Sequence, residues 1–245
     1  MGRHKLEKEI KLKRLFLIAV AVVFSFTACT NKPKDDKVVD ETKTETTDTT
    51  ETTTTEENTM EVSKENPIVV DKEAKTISIL ATVNGKYFDE VTRHMAISES
   101  GKIADMALFK TPVTPTDFYN GLLEIGAKAG DNMTAENAAA TTTTEGSKLN
   151  VTLSFGDKKD VDVNEAVLDS TGTPLDIRFS GNMDNSKEFN TGCITCLDSC
   201  FVGITSNASY PLGAVEEQKS VEFKGNKDVL PADGSEVVIT YKLAD

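Results

Sequence analysis

The sequence patterns of several common enzyme classes are missing from this chain. It has no Gly-x-Ser-x-Gly nucleophile elbow, no glycine-rich phosphate-binding loop and no calcium loop with EF-hand spacing. Of its two histidines, only His94 lies beyond the first 28 residues, so a pair of histidines for acid–base work is excluded there. We therefore expect no conventional catalytic site, and the prediction names no catalytic residue.

No apolar run approaches the roughly 20 residues that a membrane-spanning helix needs. The run at residues 15–26 follows a basic segment and ends at Phe26-Thr27-Ala28-Cys29, which resembles the lipobox of bacterial lipoproteins. This anatomy predicts a lipoprotein signal peptide at residues 1–28. Cys29 would then carry the lipid and become the new amino terminus, anchoring the protein at the outer face of the bacterial cytoplasmic membrane.

Basic residues are outnumbered: the chain has 27 Lys and Arg against 40 Asp and Glu. The predicted signal peptide holds six of the basic and two of the acidic residues, which leaves 21 and 38 and a net charge of −17. Such a charge repels the phosphates of nucleic acids and of anionic lipids. Nucleic-acid binding is excluded on this ground, and the predicted contact with the membrane is the lipid itself.

Apolar residues are nearly absent between the predicted anchor and Pro67. Residues 42–59 are mostly Thr interleaved with Glu and Asp. A segment of this composition cannot bury enough apolar surface to offset the entropy of ordering it. Residues 29–66, counted from the lipidated Cys29, are therefore predicted to be a disordered tether that carries one globular domain at residues 67–245.

Strand patterns dominate the predicted domain. Residues 67–70 and 76–83 flank a turn and predict a hairpin, and residues 149–155 alternate apolar and polar positions. Further strands are predicted at residues 175–179, 220–224 and 236–243, the last two as a hairpin. One helix is predicted to start after Thr114 and to end at Gly126, and a second, short one to include residues 163–168. These elements predict an α+β fold, a mostly antiparallel sheet with one or two helices.

A group of three cysteines is the feature of the domain that best indicates a chemical function. Cys193, Cys196 and Cys200 lie within eight residues. Their spacing matches the last three cysteines of the bacterial ferredoxin run, C-x2-C-x2-C-x3-C-Pro. Asn190 stands where that run has its first cysteine, and Phe201 where it has proline. This favours an iron–sulfur cluster, [4Fe–4S], used in electron transfer with a redox partner protein. The missing fourth ligand would be His94 or Asp198.

Other interpretations of the three cysteines remain open. The C-x2-C pair is typical of thiol–disulfide chemistry, although no strand–C-x2-C–helix unit surrounds it. Three sulfurs and His94 would also make a Cys3His zinc site. The last alternative is a structural cysteine loop in a non-redox binding or scaffolding lipoprotein. Sulfurs that converge on a point would favour a metal site or a redox function. Sulfurs that point in different directions would favour a scaffolding protein.

Five motifs in order resemble the YdjY-domain family of small exported or lipid-anchored bacterial proteins. They are residues 83–88, 92–94, 125–128, 192–200 and 202–207. The family is often described as ferredoxin-like on account of its cysteine run, so the resemblance implies the same iron–sulfur expectation. It also implies that the Thr92-Arg93-His94 motif joins the cysteine site.

Overall fold

A computed structural model describes residues 61–136 and 141–245. The predicted signal peptide, Cys29 and nearly all of the predicted tether lie outside the described residues. The described strands are Ile68–Asp71 (β1), Thr76–Val83 (β2), His94–Ser98 (β3), Ala107–Thr111 (β4), Leu149–Phe155 (β5), Lys158–Asp162 (β6), Val167–Asp169 (β7), Ile177–Phe179 (β8), Cys193–Cys196 (β9), Thr205–Asn207 (β10), Phe223–Gly225 (β11) and Glu236–Leu243 (β12). The described helices are Pro115–Glu124 (α1), Val163–Ala166 (α2) and Met183–Phe189 (α3), with 3-10 turns at Gly85–Phe88 and Ala104–Met106.

The segments with strict alternation form the strands that were predicted for them. β1 and β2 make the predicted hairpin, with Ile68 opposite Ile79. β5 and β12 have the predicted bounds, and both alternate buried and more exposed residues because only one face of the sheet is covered there. In α1 the Thr114 hydroxyl accepts from the Asp117 N–H at 3.1 Å, which is the predicted N-cap.

Ten of the described strands form one sheet in the order β6-β5-β12-β2-β4-β3-β9-β10-β8, with β1 also paired to β2. β11 and β7 form a separate two-stranded sheet. The predicted hairpin between residues 220–224 and 236–243 is wrong, because β11 pairs with β7 while β12 lies between β2 and β5. β12, near the carboxyl terminus, therefore pairs with β2 on one side and with β5 on the other.

The predicted fold class is also wrong. The described residues are mostly β, in a mixed sheet with three short helices, whereas the prediction was an α+β fold with a mostly antiparallel sheet and one or two helices. β3 pairs in parallel with β4, and β9 in parallel with β10. β3 and β9 are buried at every position, so they lack the polar–apolar alternation by which a half-exposed strand is recognised in a sequence. These strands hold the candidate site.

The described residues form two buried apolar clusters. The larger lies between the sheet and α1, where Phe118 and Tyr241 meet edge to face with ring centroids 4.8 Å apart. The smaller surrounds the cysteines and includes Ile97, Ala107 and Val202. Within the described part of the chain, no helix has both the length and the apolar character to cross a membrane.

Candidate functional site

The site is built where two buried strands meet. In the antiparallel pairing of β3 with β9, His94 lies opposite Cys196 and Ile97 lies opposite Cys193. The register shifts on either side of Ala96: the extra residue lies in β3 between His94 and Ala96, and in β9 opposite the step from Ala96 to Ile97. Such a bulge re-aims side chains locally. It brings the His94 ring towards the thiols at both ends of β9.

Three side chains converge. His94 Nδ1 lies 3.7 Å from Cys193 Sγ. One ligand atom from each of His94, Cys193 and Cys196 can be chosen so that all three lie within 4.8 Å of one another. We call these three residues the triad. All three are buried, and the three described cysteines are free thiols. The sulfurs of Cys193 and Cys196 therefore converge instead of splaying apart.

Cys200 lies beside the triad. It packs in the same buried cluster as Cys193 and Cys196, but its sulfur falls outside the group of mutually close ligand atoms. The Arg93 guanidinium is close enough to favour the Cys200 thiolate. The structure thus brings two of the three predicted cysteines together with His94, and the third lies beside them.

The three thiols differ in how readily they lose a proton. The Cys196 thiol and the neighbouring His94 lower the pKa of the Cys193 thiol well below its usual value, although burial opposes this. The Cys196 thiol also lowers the pKa of Cys200. Its two thiol neighbours, together with burial, raise the pKa of Cys196 well above the usual value. Cys193 and Cys200 are therefore easier to deprotonate than Cys196.

Asp198 is not part of the triad. Its Oδ1 accepts from Arg93 Nη2 at 2.6 Å and from Arg93 Nε at 3.1 Å, and its Oδ2 accepts from the Gly213 N–H at 3.1 Å. The Asp198 side chain is fully buried and that of Arg93 is 15% exposed. The carboxylate raises the pKa of Arg93 despite the opposing effect of burial, so the guanidinium is a fixed cation next to the thiols. The predicted alternative ligand is thus the partner of a buried arginine.

The loop between β9 and β10 is held by side-chain amides that sequence reasoning missed. Asn182 Nδ2 donates to the carbonyl oxygens of Cys200 at 2.8 Å and Gly203 at 3.1 Å. Asn207 Nδ2 donates to the carbonyl of Leu197 at 3.0 Å. A buried irregular loop must find partners for its carbonyls outside regular structure, and asparagine provides them. Asn207 lies in the 202–207 motif, which was the one available signal.

Gly203 lies against the Cys196 side chain. A methyl group at this position would lie 2.9 Å from Cys196 Sγ and 3.3 Å from Ser206 Oγ. The Ser206 hydroxyl is buried and has no hydrogen-bond partner among the described residues, so an unused donor lies on the same side of the glycine as the Cys196 sulfur. Glycine is required here because a larger residue would displace the sulfur.

A pocket reaches the triad at His94. It has a volume of about 310 Å³ and includes His94 in its wall. The remaining wall residues are Tyr87, Val91, Thr92, Arg93, Met106, Val215, Glu216 and Lys219. The Thr92-Arg93-His94 motif thus lines the pocket, and His94 connects it to the buried sulfurs.

The donor set and its spacing fit a metal ion. Two ligands at the usual zinc distances of about 2.0 to 2.3 Å lie at most about 4.6 Å apart, so the 3.7 Å separation of His94 Nδ1 and Cys193 Sγ suits a shared ion. Sulfur and imidazole are the ligands that zinc, copper and iron take in proteins. The triad can therefore bind a metal.

Comparison with known proteins places the chain in a family. A family model described as the YdjY domain matches residues 68–242. The protein called "Uncharacterized protein YdjY" from Escherichia coli (strain K12) is 42% identical over 185 residues, which cover 75% of this chain and 82% of the relative. No solved structure matches the chain. The family model spans most of the chain and the identity extends over nearly the same length, so this protein belongs to the YdjY-domain family.

Proposed function

We propose that this protein is an exported, lipid-anchored metal-binding protein whose metal centre is the triad. The observation that carries the proposal is the approach of His94, Cys193 and Cys196 to within 4.8 Å of one another across two strands. The lowered pKa of the Cys193 thiol also favours its deprotonation, as coordination requires. Cys200 is the proposed fourth ligand, because it packs in the same buried cluster as Cys193 and Cys196.

The spacing favours a single ion over the [4Fe–4S] cluster that the ferredoxin-like cysteine run predicts. In a cluster each cysteine sulfur binds a different iron, so the ligands stand apart by the width of the cluster. The three ligand atoms of the triad lie within 4.8 Å of one another, close to the roughly 4.6 Å that two ligands of one zinc ion can span, and both cysteines are fully buried. An iron–sulfur cluster with a role in electron transfer is the second candidate, supported by the sequence spacing.

The proposed location rests on the amino-terminal sequence. Cys29 would carry the lipid, and residues 30–66 would hold the domain away from the outer face of the cytoplasmic membrane. No nucleic-acid partner is proposed, because the acidic excess opposes it. The membrane is the proposed partner through the lipid, and a protein that exchanges metal or electrons with the triad is the second.

Metal analysis tests the proposal. We expect anaerobically purified protein to bind close to one equivalent of zinc or copper, without stoichiometric acid-labile sulfide. Cys196→Ser should lose the metal. Ser199→Ala, which removes a hydroxyl from the same loop, is the control and should retain it. Iron with matching sulfide would favour the cluster instead. Protein that remains metal-free after incubation with each ion would leave the scaffold function as the better account.

A further inference from the structure

The triad is closed to solvent on its cysteine side. Cys193 and Cys196 are fully buried, and Cys200 is 3% exposed. His94 is 6% exposed and forms part of the wall of the 310 Å³ pocket. An ion that arrives through this pocket therefore meets His94 before it meets either sulfur of the triad.

Met106 lies in the wall of the same pocket and is 42% exposed. The backbone fixes it beside His94. The Thr92 hydroxyl donates to the Met106 carbonyl oxygen at 2.7 Å and accepts from the His94 N–H at 2.9 Å. In addition, β3 and β4 pair His94 with Ala107, the residue after Met106. The backbone at Met106 is thus held beside that of His94 by the Thr92 side chain and by the strand pairing, and both side chains line the pocket.

The charges around the pocket do not repel a cation. Arg93 is neutralised by Asp198, and the Glu216 carboxylate lies 3.8 Å from Arg93 Nη1 while remaining 56% exposed. Lys219 is the other cation of the wall, so in formal charge the two basic residues are matched by Asp198 and Glu216. The acidic excess of the chain also raises the concentration of cations near its surface.

A thioether selects among cations. Thioether and thiolate sulfur are soft ligands that favour Cu(I), whereas zinc is bound by thiolate, imidazole and carboxylate. We propose that the pocket is the access route for Cu(I), with the Met106 sulfur as its first ligand and His94 as the ligand that passes it to Cys193 and Cys196. This inference rests on the proposed metal centre. Each transfer exchanges one ligand for another, the ion stays Cu(I), and a protonated thiol releases its proton to solvent as it binds.

The rate of loading tests the route. Metal-free, reduced full-length protein is mixed anaerobically with Cu(I) held by the coloured chelator bicinchoninate, and loss of the colour is followed. Met106→Leu removes the sulfur and keeps a side chain of similar size at an exposed position. Met183→Leu is the matched control, because Met183 lines two other pockets and accepts from Thr116 there. Loading with Zn(II) is measured in parallel.

We expect Met106→Leu to load Cu(I) several-fold more slowly, with unchanged final copper content, while Met183→Leu behaves as wild type. Zn(II) loading should be the same in all three proteins. Equal Cu(I) rates in wild type and Met106→Leu would overturn the access route, as would an equal slowing of Zn(II), and both results would leave the metal centre standing. Failure of the wild type to take up either ion would instead overturn the metal centre and the route with it.

Discussion

His94 Nδ1 and Cys193 Sγ lie 3.7 Å apart although 99 positions separate them in the chain. The contact depends on the bulged pairing of β3 with β9, and both strands are buried along their whole length. A buried imidazole next to two buried thiols is poorly explained by packing alone, because apolar residues would fill the space without needing polar partners. The proposed metal ion would give all three side chains a common partner.

Removal of the imidazole should weaken metal binding. We expect His94→Ala to lower metal affinity by more than the roughly 10- to 100-fold typical of changing a residue outside the ligand set. Because the pocket reaches His94, added imidazole should restore part of the affinity. Competition with a chromophoric chelator, with and without imidazole, measures both effects. Unchanged affinity in His94→Ala would remove this residue from the site.

A methyl group at Gly203 should disturb the site by displacing the Cys196 sulfur, 2.9 Å from the position of the added carbon. We expect Gly203→Ala to reduce bound metal and to cost about 1–3 kcal/mol of stability, as overpacking does. Gly225→Ala is the control, because its methyl would press on Leu108 at 2.6 Å, away from the triad. Denaturant unfolding and metal content are measured for both variants. Equal metal content in the two would contradict the role assigned to Gly203.

Much of the fold was predictable where one face of a strand is exposed. β5 and β12 have the predicted bounds because apolar residues alternate with polar ones on their solvent-facing side. β3 and β9 have no such alternating pattern, since every position is buried. The two parallel pairs were missed for this reason, and with them the mixed character of the sheet.

The candidate site was predictable in its residue types and less so in its arrangement. The spacing of Cys193, Cys196 and Cys200 indicated a centre, and the 92–94 motif placed His94 with it through the family resemblance. The ion pair of Asp198 and the amide contacts of Asn182 depend on residues far away in the sequence. No local pattern encodes such contacts, because they arise only when the sheet is assembled.

The proposed anchor depends on one atom, the sulfur of Cys29. We expect wild-type protein produced in bacteria to incorporate radiolabelled palmitate and to sediment with membranes. Cys29→Ser should lose the label, because serine lacks the thiol that accepts the lipid. Cys196→Ser is the matched control and should keep it, since that sulfur belongs to the buried site. A wild-type protein without label would contradict lipid anchoring and leave the metal centre unaffected.

The buried ion pair next to the cysteines should be the most sensitive point of the fold. Asp198→Ala leaves the Arg93 guanidinium, whose side chain is 15% exposed, without its 2.6 Å partner. Removing one member of a buried pair costs about 3–5 kcal/mol, because the remaining charge is desolvated and uncompensated. Denaturant unfolding of the metal-free protein measures this loss. The control is Glu124→Ala, which breaks an exposed pair with Lys72 at 2.9 Å and should change stability little.

Arg93→Met in the Asp198→Ala background separates the two contributions to that loss. If the cost comes from an unpaired cation, the second change should recover part of the stability, since the charge is gone and an apolar chain remains to pack. If the double variant is as unstable as Asp198→Ala, the carboxylate acts mainly through its bond to the Gly213 N–H at 3.1 Å. That result would mean that Asp198 mainly holds the loop backbone. Arg93 would then affect the thiols independently of its pair with Asp198.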